Sequence, residues 1–313
     1  MAHLTVNKVS LTEKVLWSKL RAAHPPIKLQ STLINIDTSA FLDLETNNFS
    51  NILTTPASKL GHLFYPTILI SILLPAYRFI LKDYHAFLAL GPGGTPSTFA
   101  GYLRVTYLRL FTIRDPFQPP SLALPTCPQG SYLSRLPQRS GPRPVTAGIA
   151  PHRQLNQKCS PDLHRALRKA FHNLAAGYPS LLRKGNSCFE KHGLALFLSA
   201  CAQSAPPDTA AHPTPSHLNP TCQDTGEICH LHASDSSMHM TLHPLDAALV
   251  IASKWGERHP LAGCSIHGKR LLPSGFVMVY APREESEITT VMEIVKAGGW
   301  WVGGVDLGKA EGL

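Results

Sequence analysis

The distribution of proline constrains this chain more than any other feature. Thirteen of its 27 prolines cluster in 115–144 and 205–220. Proline lacks a backbone donor and fixes φ, so neither stretch can run as a helix or an interior strand. The patterned sequence that remains amounts to one compact domain of about 150–200 residues, large enough to bury a sizeable core. A further 22 glycines and a charged fraction of only 16% agree with a chain interrupted by loops.

The net charge of +9 raises the question of a nucleic-acid partner, and the placement of the charge answers against it. Arg104, Arg109, Arg114, Arg135, Arg139, Arg143 and Arg153 are scattered, and only Arg165, Arg168 and Lys169 form a group. No zinc knuckle, glycine-rich RNA-binding signature or basic stripe with interleaved aromatics accompanies them. Two readings remain: solvated surface charge, or attraction to an anionic membrane surface, where each nearby Lys or Arg gains roughly 1 kcal/mol. Cys127, Cys159, Cys188, Cys201, Cys222, Cys229 and Cys264 are odd in number, widely spaced and without CxxC pairs. That pattern is neither a disulfide framework nor a zinc ribbon and implies reduced thiols in a cytosol-facing domain.

Residues 1–58 are polar and without period, a variable N-terminal extension. A short helix over 13–20 would end before Pro25 and Pro26, and no basic-then-apolar leader is present. Residues 60–77 differ sharply: LGHLFYPTILISILLPAY contains no Asp, Glu, Lys or Arg. Extended to Leu81, with Arg78 snorkelling, this run approaches the roughly 20 residues that cross a bilayer. Pro66 and Pro75 are tolerated in membrane helices. We therefore expect a single membrane anchor over 60–81, with a buried or interfacial helix as the alternative. Arg78 and Lys82 against Lys59 favour a cytosolic C-terminal side, which suits the endoplasmic reticulum.

A juxtamembrane helical and proline-rich region follows over 82–144. Gly91-Pro92-Gly93-Gly94-Thr95-Pro96 is a turn-rich break, and its likeness to a phosphate loop is superficial because no Gly-Lys-Ser/Thr follows. Residues 101–111 are amphipathic, with Leu103, Tyr107 and Leu110 on one side, and suit a helix on a membrane surface or in a core.

The main domain is expected over 145–304, with a variable loop at 202–224 and a tail at 305–313. Ser160-Pro161-Asp162 is a helix start with cap, first-position proline and first-turn acid. Leu163, Leu167, Ala170, Phe171 and Leu174 then recur at helical spacing. Residues 189–200 read as a strand, and 227–232 with 238–242 as a hairpin. Residues 244–254 read as a helix ended by Gly256 as a left-handed cap, and 276–280 as a strand. Pro282 opens a last helix with Glu284, Glu285 and Glu287 near its positive end. Gly298-Gly299 and Gly303-Gly304 would mark its end and a loose tail, and Trp255, Trp300 and Trp301 read as core or interface aromatics rather than a substrate cage. This order predicts an α+β fold, a small, largely antiparallel sheet packed with helices.

Chemistry-bearing residues concentrate in three blocks. Alternation along a strand puts Ile228, His230 and His232 on one face. A register with His239 opposite His230 adds a third imidazole, and a slip of one residue removes it. Met238, Met240 and Leu242 then face the core. The second block is Trp255-Gly256-Glu257-Arg258-His259-Pro260-Leu261-Ala262-Gly263, and the third is Tyr280-Ala281-Pro282-Arg283. Neutral histidine, titrating near pH 6.5, suits a general base. Arg258 suits an anion partner through charge-assisted hydrogen bonds.

These blocks, in this order, resemble the catalytic region of the fungal luciferase family, and Asp83-Tyr84-x-x-Phe87-Leu88 after an apolar helix adds to the likeness. The resemblance covers roughly 82–302 and departs from the family in a shorter, more polar loop before His239, which lacks a histidine seen there in luciferases. It implies a cofactor-independent oxygenase, without metal or flavin, that oxidises a hydroxypyrone or phenolic small molecule with O2. Carried over by position, His230, His232, His239, Arg258 and His259 become catalytic candidates, and Tyr280, Arg283 and Glu257 substrate-binding ones. Three rivals stay open: a histidine-metal oxygenase using Asp235 or Glu227 as carboxylate, a non-catalytic module that binds a small molecule or lipid at a membrane, and histidines that merely satisfy buried carbonyls.

Overall fold

The computed structural model describes residues 57–121, 130–199 and 226–308. The chain divides into two units, Met1–Ile80 and Leu81–Leu313. Residues 1–56 of the expected extension at 1–58, and the variable loop at 202–224, lie outside the described residues.

The apolar run does form a helix, α1 (Ala57–Ala89). The expected anchor over 60–81 is not supported: no helix among the described residues is long and apolar enough to cross a membrane. In the first unit Ile68, Leu69, Ile70, Ile72, Leu73, Leu74 and Phe79 are exposed.

The second unit begins at Leu81, the last residue of the expected anchor, so residues 82–121 and 130–144 belong to the same unit as the domain. Helix α2 (Phe99–Leu108) starts on Thr98, whose hydroxyl accepts from the Gly101 N–H. It continues as a 3-10 turn, Arg109–Phe111. It buries Gly101, Tyr102 and Val105 and leaves Leu103, Tyr107 and Leu110 exposed. Asp83 of α1 accepts from the Tyr102 hydroxyl and pairs with Arg109. Tyr84 packs edge-on against Phe99 and Tyr102.

The domain is the expected α+β arrangement. A short hairpin, β1 (Thr146–Gly148) and β2 (His152–Gln154), precedes helix α3 (Pro161–Gly177). Ser160 caps α3 by accepting from the Leu163 N–H. The remaining elements are β3 (Leu182–Asn186), β4 (Leu194–Leu198), β5 (Glu227–Leu231), β6 (Met238–Thr241), α4 (Pro244–Ala252), β7 (Gly256–Arg258), β8 (Ser265–Ile266), β9 (Lys269–Arg270), β10 (Phe276–Val279) and α5 (Glu285–Gly303). Six strands form one antiparallel sheet in the order β3-β4-β5-β6-β10-β7. The strand expected over 189–200 is shorter, because 187–193 form a turn closed by the Ser187 and Lys191 N–H groups.

One sheet face carries the main core. Leu196, Leu198, Cys229, Leu231, Met238, Met240, Val277 and Val279 pack with Leu167 and Phe171 of α3 and Val291, Ile294 and Val295 of α5. At roughly 1.5–3 kcal/mol per fully buried large apolar side chain, this face dominates the driving force for folding. The opposite face meets a second cluster that includes Phe87, Tyr102, Val105, Ile149, Leu261 and Phe276.

Three expectations are corrected. Ile228 does not share a face with His230 and His232. A β-bulge sets Ile228 as the extra residue between the pairs Leu196↔Cys229 and Phe197↔Glu227, so Ile228 joins Cys229 in the main core. A bulge re-aims side chains in this way. Second, Lys254, with φ 64, is the left-handed residue after α4, whereas Gly256 lies in β7. Gly256 is required there by space: an added Cβ would come inside 3.0 Å of the Met278 carbonyl oxygen. Third, Gly298 and Gly299 are buried within α5 rather than at its end; only Gly304, with φ 63, caps it. Cys188 also departs from expectation, since it is disulfide-bonded. Cys159, Cys229 and Cys264 are free.

Candidate functional site: a buried histidine cluster

The hairpin register is the one that brings the imidazoles together: His230 pairs with His239. With Met238 and Met240 in the main core, His239 faces the other side, where His230 and His232 also lie. The bulge adds Glu227 to that face. His152 of β2 and His259, just past β7, complete a group of five histidines, each 5% exposed or less. Phe276 stacks on His239 and meets His259 edge-on.

Each outer nitrogen is held. His230 Nδ1 lies 2.7 Å from Glu227 Oε1, and Glu227 also accepts from Ser187 Oγ and the Cys188 N–H, both at 2.8 Å. His232 Nδ1 lies 2.8 Å from Ser237 Oγ, which donates to Asp235 Oδ2 at 3.0 Å. His152 Nε2 lies 3.3 Å from Glu257 Oε1. Glu257 in turn accepts from Thr146 Oγ1 and the Tyr280 hydroxyl, each at 2.7 Å. His239 is central. Its Nδ1 is 3.1 Å from His232 Nε2 and 3.3 Å from His230 Nε2, and its Nε2 is 3.2 Å from His152 Nδ1.

Glu190 reaches the same place from the turn before β4, with Oε1 3.9 Å from His232 Nε2. Arg153 holds it with both guanidinium ends, and also donates to the Pro92 carbonyl at 2.7 Å. The glycine-rich turn after α1 makes this approach possible, since a Cβ on Gly94 would collide with the Phe189 carbonyl oxygen. That turn is a packing element, consistent with its lack of a phosphate-loop lysine.

Electrostatics follow from burial. Desolvation pushes the His232 pKa down to about 4, although Asp235 opposes it. Burial and then the neighbouring imidazoles depress His239 and His259 well below the ordinary value. For Glu190, Asp235 and Glu257, burial acts upward. Hydrogen bonds from Arg153, His232 and His152 respectively outweigh it and hold these carboxyls below the usual range.

Of the other sequence-derived candidates, His259 lies in the group with both nitrogens engaged by backbone, and Arg258, Tyr280 and Arg283 lie outside it. His259 has no nitrogen to spare: Nε2 donates to the Ile149 carbonyl at 2.9 Å, and Nδ1 accepts from the Leu261 N–H at 3.0 Å. Strand alternation turns Arg258 away from the side occupied by Glu257. Its guanidinium donates to the Ala262 carbonyl at 3.1 Å and contacts no histidine of the group. Tyr280 acts through Glu257. Arg283 binds Glu287 and the Ser140 carbonyl, away from the cluster. A surface pocket lined by residues 132–137, Thr289, Thr290 and Glu293 shares no residue with the cluster. Sequence reasoning missed His152, Arg153 and Glu190. No spacing relates them to the β5–β6 hairpin, and only the tertiary fold joins them.

A cluster of imidazoles, tied outward to carboxylates and offering lone pairs inward, defines a buried centre suited to taking up a proton or a cation. A luciferase-domain family model matches residues 225–298. The chain is 35% identical over 227 residues to a luciferase of Armillaria mellea, covering 71% of this chain and 81% of that protein. It is 32% identical over 225 residues to a luciferase of Neonothopanus nambi, covering 71% and 80%. No solved structure matches it. The chain belongs to the fungal luciferase family.

Proposed function

We propose that this protein is an oxygen-consuming enzyme that oxidises a hydroxypyrone or phenolic small molecule. The observation that carries the reading is the convergence of His230, His232 and His239, with outer nitrogens fixed by Glu227, Ser237 and His152. Substrate oxidation by O2 begins with loss of a hydroxyl proton, and a lone pair held inward by a carboxylate behind the ring is suited to receive it. Exclusion of water at this buried face would protect a peroxide formed from the enolate. Arg153 replaces Arg258 as the cation beside the site. Family membership supports the reaction class, and the luciferases from Armillaria and Neonothopanus are its named relatives.

The test is oxygen uptake, with photon counting, on the full chain supplied with 3-hydroxyhispidin. Uptake reduced at least 100-fold by His232→Ala supports the oxygenase. Tight binding without oxygen consumption by wild type favours a non-catalytic binding module instead.

Membrane attachment at the endoplasmic reticulum is proposed alongside, supported by the exposed apolar side chains of α1 from Ile68 to Leu74. Flanking charge favours the cytosolic side for the C-terminal domain. The disulfide at Cys188 favours the oxidising lumenal side. Protease protection of intact microsomes decides between the two orientations.

A further inference from the structure

We propose that His230, His232, His239 and Glu190 form a binding site for one divalent first-row transition-metal ion. One donor atom from each of the four lies within 4.8 Å of every other, and all four side chains are buried. The separations of 3.1 and 3.3 Å between His239 Nδ1 and the two Nε2 atoms match the ~3.3 Å that nitrogens keep around a tetrahedral ion with ~2.0–2.1 Å bonds.

Proton positions sharpen the argument. Glu227 accepts in each of its contacts with Ser187, Cys188 and His230, so the His230 proton sits on Nδ1 and its Nε2 carries a lone pair. Ser237 Oγ gives its proton to Asp235 and must accept from His232 Nδ1, leaving His232 Nε2 with a lone pair. His152 donates through Nε2 to Glu257 and presents its Nδ1 lone pair to His239 Nε2. His239 satisfies that acceptor by carrying its proton on Nε2. Three lone pairs, on His230 Nε2, His232 Nε2 and His239 Nδ1, then point at one another. Such an arrangement is repulsive by itself and becomes favourable around a cation.

Every ligand is also braced from behind. Glu227 holds His230, Ser237 and Asp235 hold His232, His152 and Glu257 hold His239, and Arg153 holds Glu190, which is the outer support metal-binding histidines and carboxylates show. Charge points the same way. Glu190, Glu227, Asp235 and Glu257 are buried around the cluster, and Arg153 is the buried cation paired among them. A divalent ion offsets most of that excess. Three imidazoles and one carboxylate select a transition metal over Mg2+ or Ca2+, which require oxygen-rich shells. The alternative triad of His152, His239 and His259 fails because both His259 nitrogens are engaged by backbone.

The proposal concerns ion binding alone and stands whether or not the oxygenase reading does, so its test uses no turnover. Full-length protein is stripped with chelator and loaded with Zn2+, Co2+, Mn2+ or, anaerobically, Fe2+. Metal content is then measured after desalting. Expected is about one equivalent of at least one ion, with affinity reduced 10- to 100-fold in His232→Gln, Glu190→Gln and the outer-partner variant Asp235→Asn. His243→Asn, outside the cluster, keeps wild-type binding. Folded wild type that retains under about a tenth of an equivalent of every ion, or one equivalent that His232→Gln and Glu190→Gln hold unchanged, overturns the proposal. Should the variants fail to fold, the Co2+ absorption spectrum of wild type decides. Intense visible bands of nitrogen-rich coordination support the site, and an aquo-ion spectrum overturns it.

Discussion

Replacing Gly256 with Ala should be among the most damaging single-methyl changes in this protein. Gly256 pairs with Val279 in the β7–β10 ladder, beside Glu257↔Met278 and Arg258↔Val277. A Cβ at this position would come inside 3.0 Å of the Met278 carbonyl oxygen and within 3.0 Å of Val250 Cγ1. The backbone oxygen cannot rotate away, so β7 must retreat from β10 and stretch its ladder. Overpacking by about 1–3 kcal/mol together with one weakened hydrogen bond of about 1 kcal/mol gives a loss of roughly 2–4 kcal/mol. For a unit of this size that corresponds to a Tm drop of roughly 5–15 °C. Because β7 carries Glu257 and leads directly into His259, metal or substrate binding should weaken in parallel. Differential scanning calorimetry of Gly256→Ala beside Gly177→Ala is the assay. An added Cβ at Gly177 meets nothing within 4 Å, and alanine there should change stability by less than about 1 kcal/mol. Equal effects of the two substitutions would refute the close-approach argument.

Three further outcomes are expected. Glu227→Gln presents an amide in place of one carboxylate oxygen among three donors, and should cost roughly 2–3 kcal/mol in chemical denaturation; the His230 15N tautomer signal should move toward Nε2–H, and an unchanged signal would count against the proton assignment. His243, whose Nδ1 caps α4 by accepting from the Leu245 N–H, has its pKa lowered by burial to about 4. Its depressed folded-state pKa contributes stability above about pH 6.5 that is lost as pH falls toward 4, roughly 3 kcal/mol in all. His243→Asn should flatten that part of the stability–pH curve, and an unaltered slope would exclude this histidine as its source. Ser160→Ala removes the acceptor for the Leu163 N–H and should lower stability by about 1 kcal/mol in urea titration, with no effect meaning that the cap is replaced by water.

Local chemistry was legible in the residues themselves. The Ser160-Pro161-Asp162 start of α3 and the antiparallel hairpin over 227–242 follow from capping, strand alternation and turn composition, while the register that pairs His230 with His239 and buries Met238 and Met240 was one of two that the sequence allowed. The helix start and the hairpin depend on neighbours a few residues apart, and the family resemblance rested on the same short blocks. The anchor expected over 60–81 is not supported, since no helix among the described residues is long and apolar enough to cross a membrane.

The completed centre was decided in three dimensions. One inserted residue in β5 rotated Ile228 into the core and Glu227 onto His230, an event no period-two reading of 227–232 can anticipate. His152 and Arg153 arrive from β2 and Glu190 from the turn before β4, all far along the chain, while Arg258 and Arg283, beside the conspicuous motifs, turn outward to carbonyls and Glu287. Residue order alone marked the main helices and the 227–242 hairpin, because capping, local sterics and hydrophobic periodicity set them, but it left the hairpin register open and did not reveal β1–β3 or β7–β9. Which register forms, and which nitrogens keep their lone pairs, follows from the fold, because a proton's position on an imidazole depends on whichever acceptor is placed behind it.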